Sequence, residues 1–270
     1  MRKILSISVF LLCGINLCAQ EEYKVLNITG SDKKVLGVDL ETYAGAEITF
    51  VGDAMQVTVN NNSYTFNDTD ELKLSYSVAP AILQRAISEV GYATYAPAMD
   101  VKPNANVVVY KVSETDETSA TIEKTVGVIP AGEGVLLGGE SATYTFTQVL
   151  FPDNTPANFD DNLLIGVLED TQVEPYTVYT LGSENTSGQI GFWQYTGASV
   201  AAGTAYLTLP SMAAAPRFFI LYDPLDPTGL GGVVYENGST ISCYNLNGIK
   251  VDVNTKGIVI TNNGQKIWNK

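Results

Sequence analysis

From residue 86 to residue 222 the chain repeats one unit, a short run of β-branched and aromatic residues closed by turn-forming ones at roughly ten-residue spacing. "NVVVYKV" (106–112), "SATIEKTVGVI" (119–129), "TYTFTQV" (143–149), "EPYTVYTL", "QIGFWQY", "TAYLTL" and "RFFILY" form the series. Parallel strands need a crossover of about a dozen residues or more, usually a helix. No segment between consecutive runs has that character, which excludes a doubly wound dinucleotide-binding sheet. The expected fold is all-β, with an antiparallel β-sandwich over 86–222. Alternation along "TYTFTQV" puts Tyr144 and Phe146 on one face and Thr143, Thr145 and Thr147 on the other.

Flanking regions read differently. Residues 21–78 form a small N-terminal β-strand module, in which Met55, Val57 and Val59 alternate with polar residues before the turn "NNNS" (60–63). "PAILQRAISEV" (80–90) is the one place where a helical turn or two is expected. "DPLDPTGLGGVVY" (223–235) is rich in Pro and Gly and reads as a linker. Beyond it, Asn-Gly pairs at 247–248 and 263–264 each lie between β-prone stretches, a strong hairpin signal. Residues 236–270 carry four lysines against Glu236 and Asp252, while the rest of the chain is acidic, which marks a separate hairpin module.

"VIPAGEGVLLGGE" (128–140) invites comparison with a phosphate cradle, because Gly132, Gly134 and Gly138 fall one residue off the dinucleotide spacing. Such a cradle works because its loop opens a helix, whose free N–H groups and dipole face the anion. Here an apolar run and then another strand follow, with no Lys-Ser or Lys-Thr. The glycines are therefore expected to be turns: Pro130 to Gly132 before a buried strand at Val135–Leu137, and Gly138 with Gly139 after it.

The start, "MRKILSISVFLLCGINLCAQ", has a basic end (Arg2, Lys3), an apolar run from Ile4 to Leu12 and a small residue at Ala19. This is the layout of a secretory signal peptide over 1–19, cleaved after Ala19 or one residue later at Gln20. The apolar run is too short to span a bilayer, and no later segment is long enough. The net charge is −14, and loss of Arg2 and Lys3 with an acid-free segment makes it −16. That balance disfavours nucleic acid, whose phosphates demand clustered Lys and Arg. Cys13 and Cys18 leave with the signal, so Cys243 stands alone and no internal disulfide is expected. The chain has no histidine, which removes Ser-His-Asp and Cys-His mechanisms and His-based zinc sites.

Carboxylates remain. Acids cluster at "DTDE" (68–71), "SETDE" (113–117) and "NFDDN" (158–162), all in polar turns where solvation is their ordinary role. A pair of them about 5–10 Å apart would suffice for glycoside hydrolysis. Asp153, Asp160 and Asp161, with Asn154 and Asn162 nearby, offer oxygen ligands for a structural calcium without EF-hand spacing. No other cofactor is expected. "GFWQY" could present Phe192, Trp193 or Tyr195 as a sugar-stacking platform, although on a two-faced strand at least one must point inward.

The combination "ISEVGYATYAPAMDV", "VVVYKV", "IPAGEGVLLGG", "NLLIGV", "YTL…GQIGFWQY", "VAAGTAYLTLP" and "RFFILYD" resembles a β-rich domain of secreted and surface proteins of the Bacteroidetes. The tail is similar to the C-terminal module of those proteins, which reads as a type IX secretion sorting signal, with its motifs on Asn247, Gly248, Lys256, Gly257, Gly264 and Lys270. The resemblance implies an address at the cell surface or outside it, reached through export machinery, and carries no catalytic residue. The expectation is a non-enzymatic surface or extracellular protein engaged in adhesion, scaffolding or contact with an extracellular glycan or surface protein. A carboxylate-dependent glycoside hydrolase is the alternative.

Overall fold

A computed structural model describes residues 23–41, 46–69, 71–104, 106–116, 119–183 and 190–208, with strand segments at 5–7, 218–222, 243–245, 250–251, 257–261 and 266–269. Every regular element among them is a strand, and the all-β expectation holds.

The first unit runs through β1 (Leu5–Ile7), β2 (Val25–Thr29), β3 (Val35–Asp39), β4 (Glu47–Val51), β5 (Ala54–Val59), β6 (Asn62–Phe66) and β7 (Lys73–Ser77). It forms two sheets, ordered β1-β4-β5-β6 and β3-β2-β7. Leu26, Ile28, Leu36 and Val38 from one sheet meet Ile48, Met55, Val57, Val59 and Phe66 from the other in a shared core. Met55, Val57 and Val59 are all buried, as their alternation requires. The β5–β6 turn is made by Asn60 and Asn61, both at positive φ, which asparagine tolerates better than most residues.

The second unit comprises β8 (Ile82–Ile87), β9 (Tyr92–Tyr95), β10 (Val101–Pro103), β11 (Val108–Thr115), β12 (Ser119–Thr125), β13 (Val135–Gly138) and β14 (Ala142–Gln148). It continues with β15 (Leu164–Val167), β16 (Thr171–Gln172), β17 (Val178–Ser183), β18 (Ile190–Gln194), β19 (Ser199–Val200), β20 (Thr204–Thr208) and β21 (Phe218–Tyr222). Nine of these strands form one sheet in the order β15-β20-β17-β18-β21-β12-β11-β13-β9, antiparallel except where β21 runs parallel to β12. The sheet curls over. Inner-face residues of one half (Val112, Ala120, Ile122, Leu136) share a core with Leu164, Tyr179, Phe192 and Leu207 of the other. Each Val, Leu, Ile or Phe side chain among them, fully buried, stabilises the fold by about 1.5–3 kcal/mol.

The two ends of the curled sheet meet at a seam. An isolated antiparallel bridge joins Glu133 to Ile165, and the Ala96 N–H donates to the Gly203 carbonyl at 3.3 Å. The glycine-rich stretch lies on this seam. A Cβ on Gly134 would fall 2.8 Å from the Gly166 nitrogen, and one on Gly166 would collide with the Gly132 carbonyl. Gly132 turns with φ of 79°, and β13 follows as a fully buried strand. The glycines thus make turns and a close backbone approach, and no helix follows them.

A third layer, the sheet β10-β14-β8, covers the outer face of β9, β11 and β13. Phe146 of β14 is fully buried there, with its ring 4.9 Å from that of Tyr95. The helical expectation for 80–90 is corrected: "ILQRAI" is strand β8, paired with β14 from Ile82–Thr147 to Ile87–Ala142. A segment this short cannot nucleate a helix on its own, whereas the β14 edge offers a ready ladder.

Gln148 ties the two units together. Buried to 3% exposure, it donates from Nε2 to Asn27 Oδ1 at 2.8 Å and accepts at Oε1 from the Ala81 N–H at 3.0 Å. The tail forms β22 (Cys243–Asn245), β23 (Lys250–Val251), β24 (Gly257–Thr261) and β25 (Lys266–Asn269), ordered β23-β22-β24-β25. The β22–β23 and β24–β25 pairs are antiparallel and span the two Asn-Gly positions, as hairpins there require. Gly257 opens β24; Asn247, Gly248, Lys256, Gly264 and Lys270 lie outside the described residues, as do Ala19, Gln20 and the linker 223–235.

Candidate functional site

The seam closes at the Ala96 end of β9 and gapes at its Tyr92 end. There a cleft of about 560 Å3 separates β8 and β9 from β17, β20 and Tyr195. On β8, Leu83 and Ile87 turn into the core beneath the third layer, and Arg85 between them shares their side. Its guanidinium stem is thereby drawn inward. Arg85 Nε is buried with no hydrogen-bond partner, and so is the Tyr95 hydroxyl. Among the described residues no carboxylate lies within ion-pair distance of Arg85, whereas Lys24, Lys33, Lys34 and Lys111 each have one.

Burial lowers the Arg85 pKa by disfavouring the charged form, with Tyr95 opposing weakly. Burial also pushes the Tyr95 phenol up to about 12, with the nearby Arg85 charge opposing. Around these groups the cleft wall presents Ser88, Thr94, Thr180 and Ser183, with the rings of Tyr92 and Tyr195. Tyr195 is fixed by its hydroxyl, which donates to the Ser199 carbonyl at 2.8 Å, and by its N–H, which donates to the Val178 carbonyl at 2.8 Å.

The aromatic trio divides. Phe192 is fully buried in the central core and cannot stack on a ligand, which corrects its place in the platform. Trp193 faces the other way, half-buried, with its indole against Gly182 of the cleft wall. Only Tyr195 of the three lines the cleft itself. The strand's two-residue period separates them, as its alternation demands.

The calcium candidates are not gathered. Among the described residues no three His, Cys, Asp or Glu side chains form a cation-holding group. Asp153, Asp160 and Asp161 are exposed, and Asp161 sits in a turn with φ of 63°. The Asp160 carbonyl already accepts from Lys111 Nζ at 2.8 Å, so an ammonium occupies one side of this loop. Asn162 is structural: its amide donates to Glu133 Oε1 at 2.5 Å and to the Gly134 carbonyl at 2.7 Å. Its Oδ1 accepts from the Val112 N–H at 3.1 Å and the Leu164 N–H at 3.3 Å. Asn154 likewise donates to Asp100 Oδ2, whose other oxygen accepts from the Ala131 N–H.

Two of the acidic clusters do come together. Glu114, from "SETDE", and Asp161, from "NFDDN", flank a shallow depression of about 490 Å3 with Glu123 and Lys111. Lys111 Nζ lies 3.6 Å from Glu123 Oε2. Sequence reading missed Arg85 because it took the segment for a helical turn. The signal available was an arginine with Leu83 and Ile87 two residues either side, which on a strand puts a cation on the apolar face.

Fold and cleft together define an all-β chain of the sandwich-like class with a recess at the seam of its main sheet. In comparisons with known proteins no family model, no curated protein and no solved structure matches it.

Proposed function

We propose that the chain is a secreted, non-enzymatic protein of the cell surface or exterior, which uses its cleft and sheet edges for adhesion, scaffolding or glycan contact. The observation that carries this reading is the chemistry of the cleft wall: hydroxyls, tyrosine rings and one guanidinium, with no Asp, Glu, Lys or Cys among its described residues. Such a wall binds and orients a polar ligand but offers no group that exchanges protons readily near neutrality. An exposed apolar patch adds support for protein contact. Leu74 and Tyr76 of the outer strand β7 are exposed, with the Tyr23 ring 5.9 Å from that of Tyr76. The basic, then apolar, then small-residue start and the lysine-bearing hairpin tail supply the address.

The alternative, a carboxylate-dependent glycoside hydrolase, draws on the depression shared by Glu114, Glu123 and Asp161. One experiment separates the readings. Cells expressing the chain with and without residues 236–270 are fractionated, and the purified full chain is applied to a glycan array. Surface location lost on truncation, with array retention and no release of reducing ends, is the expected result. Unchanged location of the truncated chain removes the sorting role of the tail. Reducing-end release that Glu123→Gln abolishes favours the hydrolase.

A further inference from the structure

We propose that the seam cleft binds a sugar bearing a single carboxylate, with Arg85 as its anion contact. The inference deepens the glycan-contact part of the proposed function and rests on it. Among the described Lys and Arg side chains, Lys73, Arg85, Lys102 and Lys124 have no carboxylate within ion-pair distance, and of these Arg85 alone is not exposed. It stands with Nε buried and unpartnered, on the apolar face of β8 and at the wall of a cleft. Burying the Nε–H of a guanidinium without a partner is unfavourable, and an anion that accepts from it relieves the cost.

The planar fork of Arg matches a carboxylate through two parallel hydrogen bonds. With no second cation among the described residues of the cleft wall, the site suits one negative charge better than the two of a phosphate monoester. Sugar hydroxyls have partners in Ser88, Thr180 and Ser183, and the rings of Tyr92 and Tyr195 offer apolar faces. At about 560 Å3 the cleft falls within the range of small-ligand sites, roughly 300–1,000 Å3, which limits the occupant to a short saccharide.

The test is calorimetric titration of the purified full-length chain with D-glucuronate, D-glucose, acetate and inorganic phosphate. Glucuronate should bind saturably, at least about tenfold tighter than glucose or acetate, as expected for a charge-assisted contact added to hydroxyl contacts. Arg85→Gln should lose about tenfold or more of that affinity, with Arg85→Lys between. Ala201→Trp, on the exposed rim of the cleft, should block binding without touching the core. Thermal melts of Arg85→Gln at or above the parent value would show that the loss is not unfolding. Glucuronate that fails to saturate, affinity unchanged in Arg85→Gln, or phosphate bound more tightly than glucuronate would each overturn the assignment. Glucose binding as tightly as glucuronate also overturns it, while leaving glycan contact and surface location intact, since fractionation reads those separately.

Discussion

Tyr95 carries two properties that set its contribution at different pH. Its ring lies against Phe146 in the core, while its hydroxyl is buried without a partner. With its phenol pushed up to about 12, the folded state holds the proton through a range in which the unfolded chain, at about 10, has released it. Below pH 10 both states are protonated and the contribution is fully present; as pH rises from 10 to 12 it is lost, because the folded chain then binds more protons than the unfolded. Tyr95→Phe should flatten the fall in urea-unfolding free energy between pH 10 and 12. At pH 7 the variant should be as stable as the parent or up to about 1 kcal/mol more so, because an unsatisfied hydroxyl is removed. A variant with the parent's slope in that window would show that Tyr95 ionises freely in the fold. At this scale the sequence was legible where neighbours on the same strand decide the outcome: alternation alone divides Phe192 from Trp193 and buries Met55, Val57 and Val59. It was illegible where the partner is remote. Asn162 reads as a loop ligand for calcium, yet its hydrogen bonds go to residues 28 to 50 positions away, as well as to Leu164 two residues on.

Among the elements, the seam is where small changes matter most. Gly166→Ala places a methyl against the Gly132 carbonyl and the Gly134 nitrogen, both backbone and unable to swing aside. Gly52→Ala, in the β4–β5 turn, meets nothing within 4 Å and suffers only the strain of a φ of 64°. The expected ordering is a loss of about 1 kcal/mol for Gly52→Ala, the usual cost of a side chain in the left-handed region, and a loss of several for Gly166→Ala. Chemical denaturation of the two variants checks it, and equal losses would mean that the ends of the sheet do not meet as described. Strand existence was readable because period-two alternation and turn residues are local signals, and β5, β13, β14 and β18 lie where those signals put them. The segment 80–90 was misread because Leu83 and Ile87 are four apart, a spacing that fits one face of a helix as well as one face of a strand. The β14 edge decides between the two, and that edge lies some sixty residues further along the chain. The cleft was hidden for the same reason, being assembled from β8, β9, β17 and β20.

Across the molecule, like charge outweighs pairing. The net charge of −14 is spread over a chain whose ion pairs are largely exposed, and such pairs are each worth about 1 kcal/mol or less. Screening should therefore relieve more repulsion than it removes attraction. Raising NaCl from 10 to 150 mM shortens the Debye length from about 30 to about 8 Å. The melting temperature of the purified chain should rise over that interval. A fall would mean that specific ion pairs dominate its electrostatics. The position of β21 has a consequence of another kind. It is the last strand of the main sheet in the chain, yet it lies inside the sheet, with β18 on one side and β12 on the other. Until residue 222 has cleared the ribosome or a translocation pore, the two halves have nothing to join them across that gap. Order of emergence thus delays completion of the main sheet until its last strand has been made.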